Sequence, residues 1–197
     1  MPEQCIVIAQ LCIPVHIDEK DIGTEPTHPL DVAVLRRPLM STSARKTMRR
    51  EDRAISIEDA IVLLESAEYG VLSMASPDGV PHGVPLNFAL AGNSIYFHCA
   101  PEGRKIDCLA ANKTVSFCVV GNTQVLPEEF GTRYESVIAT GTIEELTAED
   151  KREALLLLVR KYSPEYVAEG LEVIDRLIGN TKVFRIPLES VTGKARG

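Results

Sequence analysis

The stretch FHCAPEGRKIDCLAANKTVSFCVV, residues 97–120, holds the side chains best suited to chemistry. An apolar run ends in His98-Cys99, a Pro/Gly loop follows, and Arg104-Lys105 stand where a helix-like segment begins and runs to Ala111. Two adjacent cations beside the unpaired N–H groups of a helix start are what a phosphate needs. Arginine grips two oxygens in a fork and lysine adds a compact charge. Taken alone, an Arg-Lys pair more often reads as two solvated surface charges. His98 can change charge near neutral pH. It is therefore the candidate catalytic residue, able to hydrogen-bond a phosphate or a substrate, and equally a satisfied histidine at a strand end. Cys99 is close enough to share the site and reads as packing.

A second run, VPHGVPLNFAL, offers backbone rather than side chains. Pro81 and Pro85 each remove a ladder donor, so this strand belongs at a sheet edge or carries an irregularity. The groups left unpaired along Val84, Pro85, Leu86 and Asn87 can hold a ligand; a plain sheet edge accounts for the same composition.

The five cysteines are odd in number and form no CxxC pair, so neither a disulfide framework nor a metal site is expected. Reduced thiols suit a reducing compartment. The apolar start lacks a basic flank and no stretch reaches the roughly 18 apolar residues of a membrane span. A cytoplasmic protein without membrane contact is the expectation. With 28 acidic and 21 basic residues the formal net charge is −7, which argues against a nucleic-acid partner but leaves room for a small anion.

The elements that must position these residues begin near Ile55. Residues 1–47 show no sustained periodicity and read as an N-terminal extension, an arm or a tail, ahead of a domain over 48–197. Ser56 and Asp59 form a capping-box pattern ahead of a helix near 57–67. Three short runs then follow, YGVLSMAS, VPHGVPLNFAL and SIYFHCA, separated by Pro-Asp-Gly and Ala-Gly-Asn turn signals. After the 104–111 helix comes a strand, TVSFCVVG, then a loop, NTQVLPEEFGTRY, then a long strand near 135–145. Thr147 caps a third helix, Ser163-Pro164 starts a fourth that ends at Gly179-Asn180, and TKVFRIPLESVTGK closes the chain as a strand. Six antiparallel strands with flanking helices make an α+β fold.

The blocks VPLNF, YFHCAPEGRKID, NKTVSFCVV, VLPEEF, SVIATGTIEEL and KYSPE, taken in that order, resemble the nitroimidazole-resistance proteins. These belong to the pyridoxamine-phosphate-oxidase-like superfamily, and the resemblance spans 48–197. It implies a six-stranded split β-barrel of the FMN-binding type. It also implies a homodimer with FMN, or FAD, at the interface and a small-molecule substrate. By position, the flavin-lining strand R-x-V-L-L-K of the superfamily's oxidases matches His82 to Asn87. The phosphate-binding Arg-Lys pair matches Arg104-Lys105, and the tyrosine-threonine pair before it matches His98-Cys99. A glutamine that meets the flavin across the dimer matches Ser136, and the ligand-contacting histidine of the nitroimidazole-resistance proteins matches His98.

Two departures narrow the function. His82 and Asn87 replace the arginine and lysine of the oxidase strand, and the chain has no tryptophan and ends VTGKARG. Oxidation of pyridoxamine phosphate is therefore not expected. The resemblance implies a flavin-dependent reductase of small nitro-aromatic compounds of the 5-nitroimidazole type, which needs no protein base. A flavin- or haem-binding protein for storage or sensing, without turnover, is the alternative.

Overall fold

In a computed structural model of the chain the structure describes residues 48–197, without the side chains of 148 and 149. The extension expected over 1–47, with Cys5 and Cys12, lies outside the described residues. The first helix, α1, Ile57–Ser66, is capped as the sequence predicts: Ser56 Oγ accepts from the Asp59 N–H at 3.0 Å and the Asp59 carboxylate takes the Ser56 hydroxyl at 2.7 Å. Its buried residues, Ala60, Leu63 and Leu64, recur at helical spacing and face the core.

Nine strand segments follow from the expected runs. In order they are β1 Gly70–Ala75, β2 Pro81–Leu86, β3 Ala89–Ala91, β4 Ser94–Cys99, β5 Thr114–Leu126, β6 Gly131–Thr142, β7 Glu144–Glu145, β8 Lys182–Pro187 and β9 Ser190–Arg196. All pairings are antiparallel. One sheet has the order β2-β1-β5-β6-β9 and the other β3-β4-β8-β7. Three continuous runs pass from one sheet to the other: 81–91, 131–145 and 182–196. Those crossings turn a flat meander into the split-barrel form of an α+β fold. At one crossing β6 meets the turn between β8 and β9 so closely that only glycine fits, since a Cβ at Gly141 would strike the Pro187 carbonyl.

The main core lies between the sheets. Leu72, Phe117, Val119 and Val137 come from the first sheet, Ile95, Phe97, Phe184 and Ile186 from the second, and α1 closes one opening. The helices α3, Ala148–Tyr162, and α4, Val167–Leu177, cover the far face of the second sheet. There Leu155, Leu158, Val159 and Ile174 pack on Val183 and Ala89. Among the described residues the outer face of the first sheet carries no helix of this kind.

Three local expectations change. The loop expected over NTQVLPEEFGTRY is instead an extended hairpin. Pairing runs on to Leu126↔Gly131, past a register shift between Gly121 and Gln124, and only 127–129 form a 3-10 turn. The polar, exposed residues of that stretch hid the backbone pairing, which follows from strand continuity and not from burial. Thr147 and Ser163 stand at the N-terminal ends of α3 and of the following turn, but neither side chain makes a capping hydrogen bond. Pro164 opens a 3-10 turn, 164–166, and α4 begins after it at Val167.

Candidate functional site

β2 is an edge strand among the described residues, as its prolines demand. Its residues alternate in burial. Val84 and Leu86 turn inward and pack against the core, while Pro81, Gly83 and Pro85 turn outward. Proline has no N–H, so the ladder bonds to β1 fall on His82, Val84 and Leu86. The outer edge then offers the carbonyls of Pro81, Gly83 and Pro85 and one N–H, that of Gly83. Among the described residues a Cβ at Gly83 would meet only Val71 Cγ1, at 3.6 Å, within 4 Å. Of the backbone groups that the sequence offers along Val84, Pro85, Leu86 and Asn87, the Pro85 carbonyl lies on this open edge, while Val84 and Leu86 are taken up by the ladder to β1. Strand alternation was the signal that identifies Gly83.

The helix α2, Arg104–Ala111, packs against β1 and β2. Gly103 precedes it with φ +109°, a conformation that favours glycine, and no side chain caps its first turn. Arg104 is exposed and Lys105 half-buried, and neither makes a hydrogen bond or ion pair with another described residue. Arg104 lies near the β1–β2 turn. The Asp78 carboxyl there is held below its usual range by the Ser76 hydroxyl and, more weakly, by Arg104. Among the described residues the tertiary structure thus brings two cations without a hydrogen bond or close ion pair, and an uncapped helix start, to the end of β2 where Pro81 and His82 stand.

His98 and Cys99 do not act together, because consecutive strand residues point to opposite faces. Cys99 is in the main core with Cys108. His98 pairs with Val183 on the face covered by α3 and α4, and its Nδ1 is buried. Asn87 has a partner inside the chain, its amide donating to the Glu68 carbonyl at 3.1 Å. Ser136 lies on β6, with β1 and β5 between it and β2. Three strand spacings make that about 14 Å, too far for one chain to use both on one small group.

Register places Ser136 on the outer face of the first sheet, which no other described element covers. One cross-strand row there reads Pro85, Val71, Cys118, Ile138, Thr192, and the next includes Val120, Ser136 and Lys194. Ile138 is 48% and Val120 57% exposed. Among the described residues this face therefore carries exposed apolar side chains along its centre. Cys99, Cys108 and Cys118 are all thiols, and burial pushes the Cys118 thiol above its usual range. Among the described residues no cluster of His, Cys, Asp and Glu could hold a metal ion, and no helix is long and apolar enough to cross a membrane. A pocket of about 170 Å³ lies beside α2, lined by Ile106, Leu109, Lys113, Ile143, Lys182 and Phe184. It includes neither Arg104, Lys105 nor any residue of β2.

Comparison with known proteins gives the fold a context. A family model described as pyridoxamine 5'-phosphate oxidase matches residues 56–195. Among solved structures, a proposed 5-nitroimidazole antibiotic resistance protein from Bacteroides thetaiotaomicron is 26% identical with a TM-score of 0.60, over 72% of this chain and 86% of that one. An FAD-binding protein from Mesorhizobium loti is 27% identical with a TM-score of 0.54, over 74% of this chain and 98% of that one. An FAD and haem binding protein from Mycobacterium smegmatis, at 21% identity and a TM-score of 0.63, covers 75% of each chain and is alike in fold. No curated protein matches the chain significantly.

Proposed function

The chain belongs to the pyridoxamine 5'-phosphate oxidase family, and we propose that it is a flavin-binding oxidoreductase that reduces small nitro-aromatic compounds. The observation that carries the flavin part is the meeting of an open edge strand, β2, with the uncapped, doubly cationic start of α2. The Arg104 guanidinium and Lys105 ammonium would hold the flavin phosphate. The outward carbonyls of β2 and the Gly83 N–H would hold the ring system. A flavin, when bound, supplies the hydride and electron chemistry, and the protein supplies binding, orientation and exclusion of water. FAD and FMN both carry the phosphate that Arg104 and Lys105 suit. The similarity to an FAD-binding protein at 27% identity supports a flavin without choosing between them.

The substrate class rests on the similarity at 26% identity to a proposed nitroimidazole-resistance protein and on what is missing from β2. With His82 and Asn87 where an oxidase would have arginine and lysine, and Asn87 tied to Glu68, the strand offers little charge to an anionic pyridoxamine phosphate. A neutral nitro-aromatic molecule suits it better.

A homodimer belongs to the same proposal. Val71, Cys118, Ile138 and Val120 form an apolar centre on a sheet face that nothing among the described residues covers. Ser136 on that face is too far from its own β2 to serve its own ligand, but a second copy packed there brings it to the other subunit's site.

The test is an absorbance spectrum of the purified protein beside that of Arg104→Ala/Lys105→Ala. Flavin bands in the wild type that fall at least about tenfold in occupancy in the variant are expected, since two charge-assisted phosphate contacts are lost. A colourless wild type that takes up neither FMN nor FAD overturns the flavin reading. A Soret band in its place transfers the site to haem.

A further inference from the structure

We propose that Tyr162, in the last turn of α3, is a positioning residue for β2 and so sets the affinity of the site for flavin; this rests on the flavin reading above. Its hydroxyl is the meeting point of three backbone groups from two distant segments. It accepts the Phe88 N–H at 2.9 Å and lies 2.8 Å from the Phe88 carbonyl and 2.7 Å from the Glu68 carbonyl, donating its one proton between them. Glu68 stands just before β1 and Phe88 just after β2. The hydroxyl therefore ties together the two chain ends that flank the β1–β2 pair. Asn87 adds a parallel tie, its amide donating to the same Glu68 carbonyl.

β2 needs such an anchor more than the other strands do. It is paired on one side only among the described residues, and Pro81 and Pro85 leave it donors at His82, Gly83, Val84 and Leu86 alone. At its first end the β1–β2 turn is held locally, with the Ser76 N–H on the Val80 carbonyl at 2.9 Å and the Gly79 N–H on the Ser76 carbonyl at 2.8 Å. At its last end no such turn exists, because the chain passes straight into the second sheet at Asn87-Phe88. There the holding groups come from far along the sequence. The Phe88 ring is fully buried, meets Phe117 edge-on at a centroid distance of 4.8 Å, and carries the Lys161 ammonium 4.1 Å from its centre.

A one-residue slip of β2 would exchange its inward and outward faces, putting Val84 in place of Gly83 on the open edge. By holding Phe88, Tyr162 keeps Gly83 and the odd-numbered carbonyls outward. The helix pair α3–α4 thus acts on the ligand edge without touching it.

The experiment compares wild type with Tyr162→Phe, which keeps the ring and removes the hydroxyl. Amide hydrogen exchange is followed across 82–88, and flavin dissociation constants and absorbance fine structure are measured well below the unfolding transition. The expected result is roughly tenfold faster exchange in β2, with β5 and β6 unchanged, and a dissociation constant raised about tenfold. Should Tyr162→Phe fail to fold, Asn87→Ala removes the weaker parallel tie and is measured the same way, with a smaller change of the same sign. Unchanged exchange in β2 overturns the proposal. Faster exchange with unaltered affinity and spectrum also overturns it, leaving the hydroxyl a structural tie. A wild type that binds no flavin defeats the underlying reading, and with it any role in binding. The exchange data then still report separately whether the hydroxyl holds the strand.

Discussion

At the residue scale the most exposed energetic conflict is Lys161. Burial lowers its ammonium from the ordinary 10.5 to about 8, against a weaker opposing pull from Glu65, and its Nζ has no hydrogen-bond partner among the described residues. The contact with Phe88 offsets part of the lost hydration. A base whose folded value is depressed is charged in both states below about pH 8. Between about 8 and 10.5 the unfolded chain holds a proton that the folded one has lost, so stability rises with pH across that window. Lys161→Met keeps the packing and removes the charge. It is expected to raise stability near neutral pH by about 1 kcal/mol, after allowing for the part of the side chain that water still screens. It should also remove Lys161's share of the pH dependence. Urea unfolding at about pH 7 and about pH 9.5 checks both. Arg104 and Lys105 were legible in the sequence because adjacent residues at a helix start need no tertiary contact to be recognised. Tyr162 was not, because its partners lie 74 and 94 residues away.

At the element scale the decisive places are the crossings between sheets. Gly141 faces the Pro187 carbonyl, a backbone atom that cannot swing aside. Gly141→Ala is therefore expected to cost about 2 kcal/mol, read as a lowered unfolding midpoint with unchanged slope in urea. The β5–β6 hairpin is the opposite case. Phe130 at its tip is 98% exposed with φ +49°, so it contributes no core packing and sits in a conformation that suits glycine better. Phe130→Gly should shift the thermal midpoint little or slightly upward, within about 1 kcal/mol. Alternating apolar residues and turn signals made most strands readable. The crossings were not, since a strand keeps the same alternation whether its neighbours belong to one sheet or two.

At the scale of the whole molecule, the described layers run from the first sheet through the main core and the second sheet to α3 and α4. The outer face of the first sheet, which no other described element covers, is where a second copy is proposed to pack. Ile138 stands between Cys118 and Thr192 in its cross-strand row and is 48% exposed. Ile138→Arg places a charge there that a monomer tolerates in water and an interface does not. Sedimentation is expected to move from a dimer to a monomer, with flavin occupancy falling alongside. A dimer that persists unchanged would put the contact elsewhere.

From the sequence alone came the α+β class, the order of helices and strands, the edge character of β2 and the cationic start of α2. Each rests on local chemistry: periodicity, proline's missing N–H, and neighbours at a helix start. Strand alternation already separates neighbouring side chains, but only the tertiary structure decided which face is which: that Gly83 faces outward and Val84 inward, that Cys99 enters the main core while His98 turns toward α3 and α4, and that Ser136 stands about three strand spacings, or 14 Å, from β2. It alone brought Tyr162 to the end of the ligand edge. Those outcomes depend on pairing register and on the crossings between sheets, which are set by packing among residues far apart in the chain.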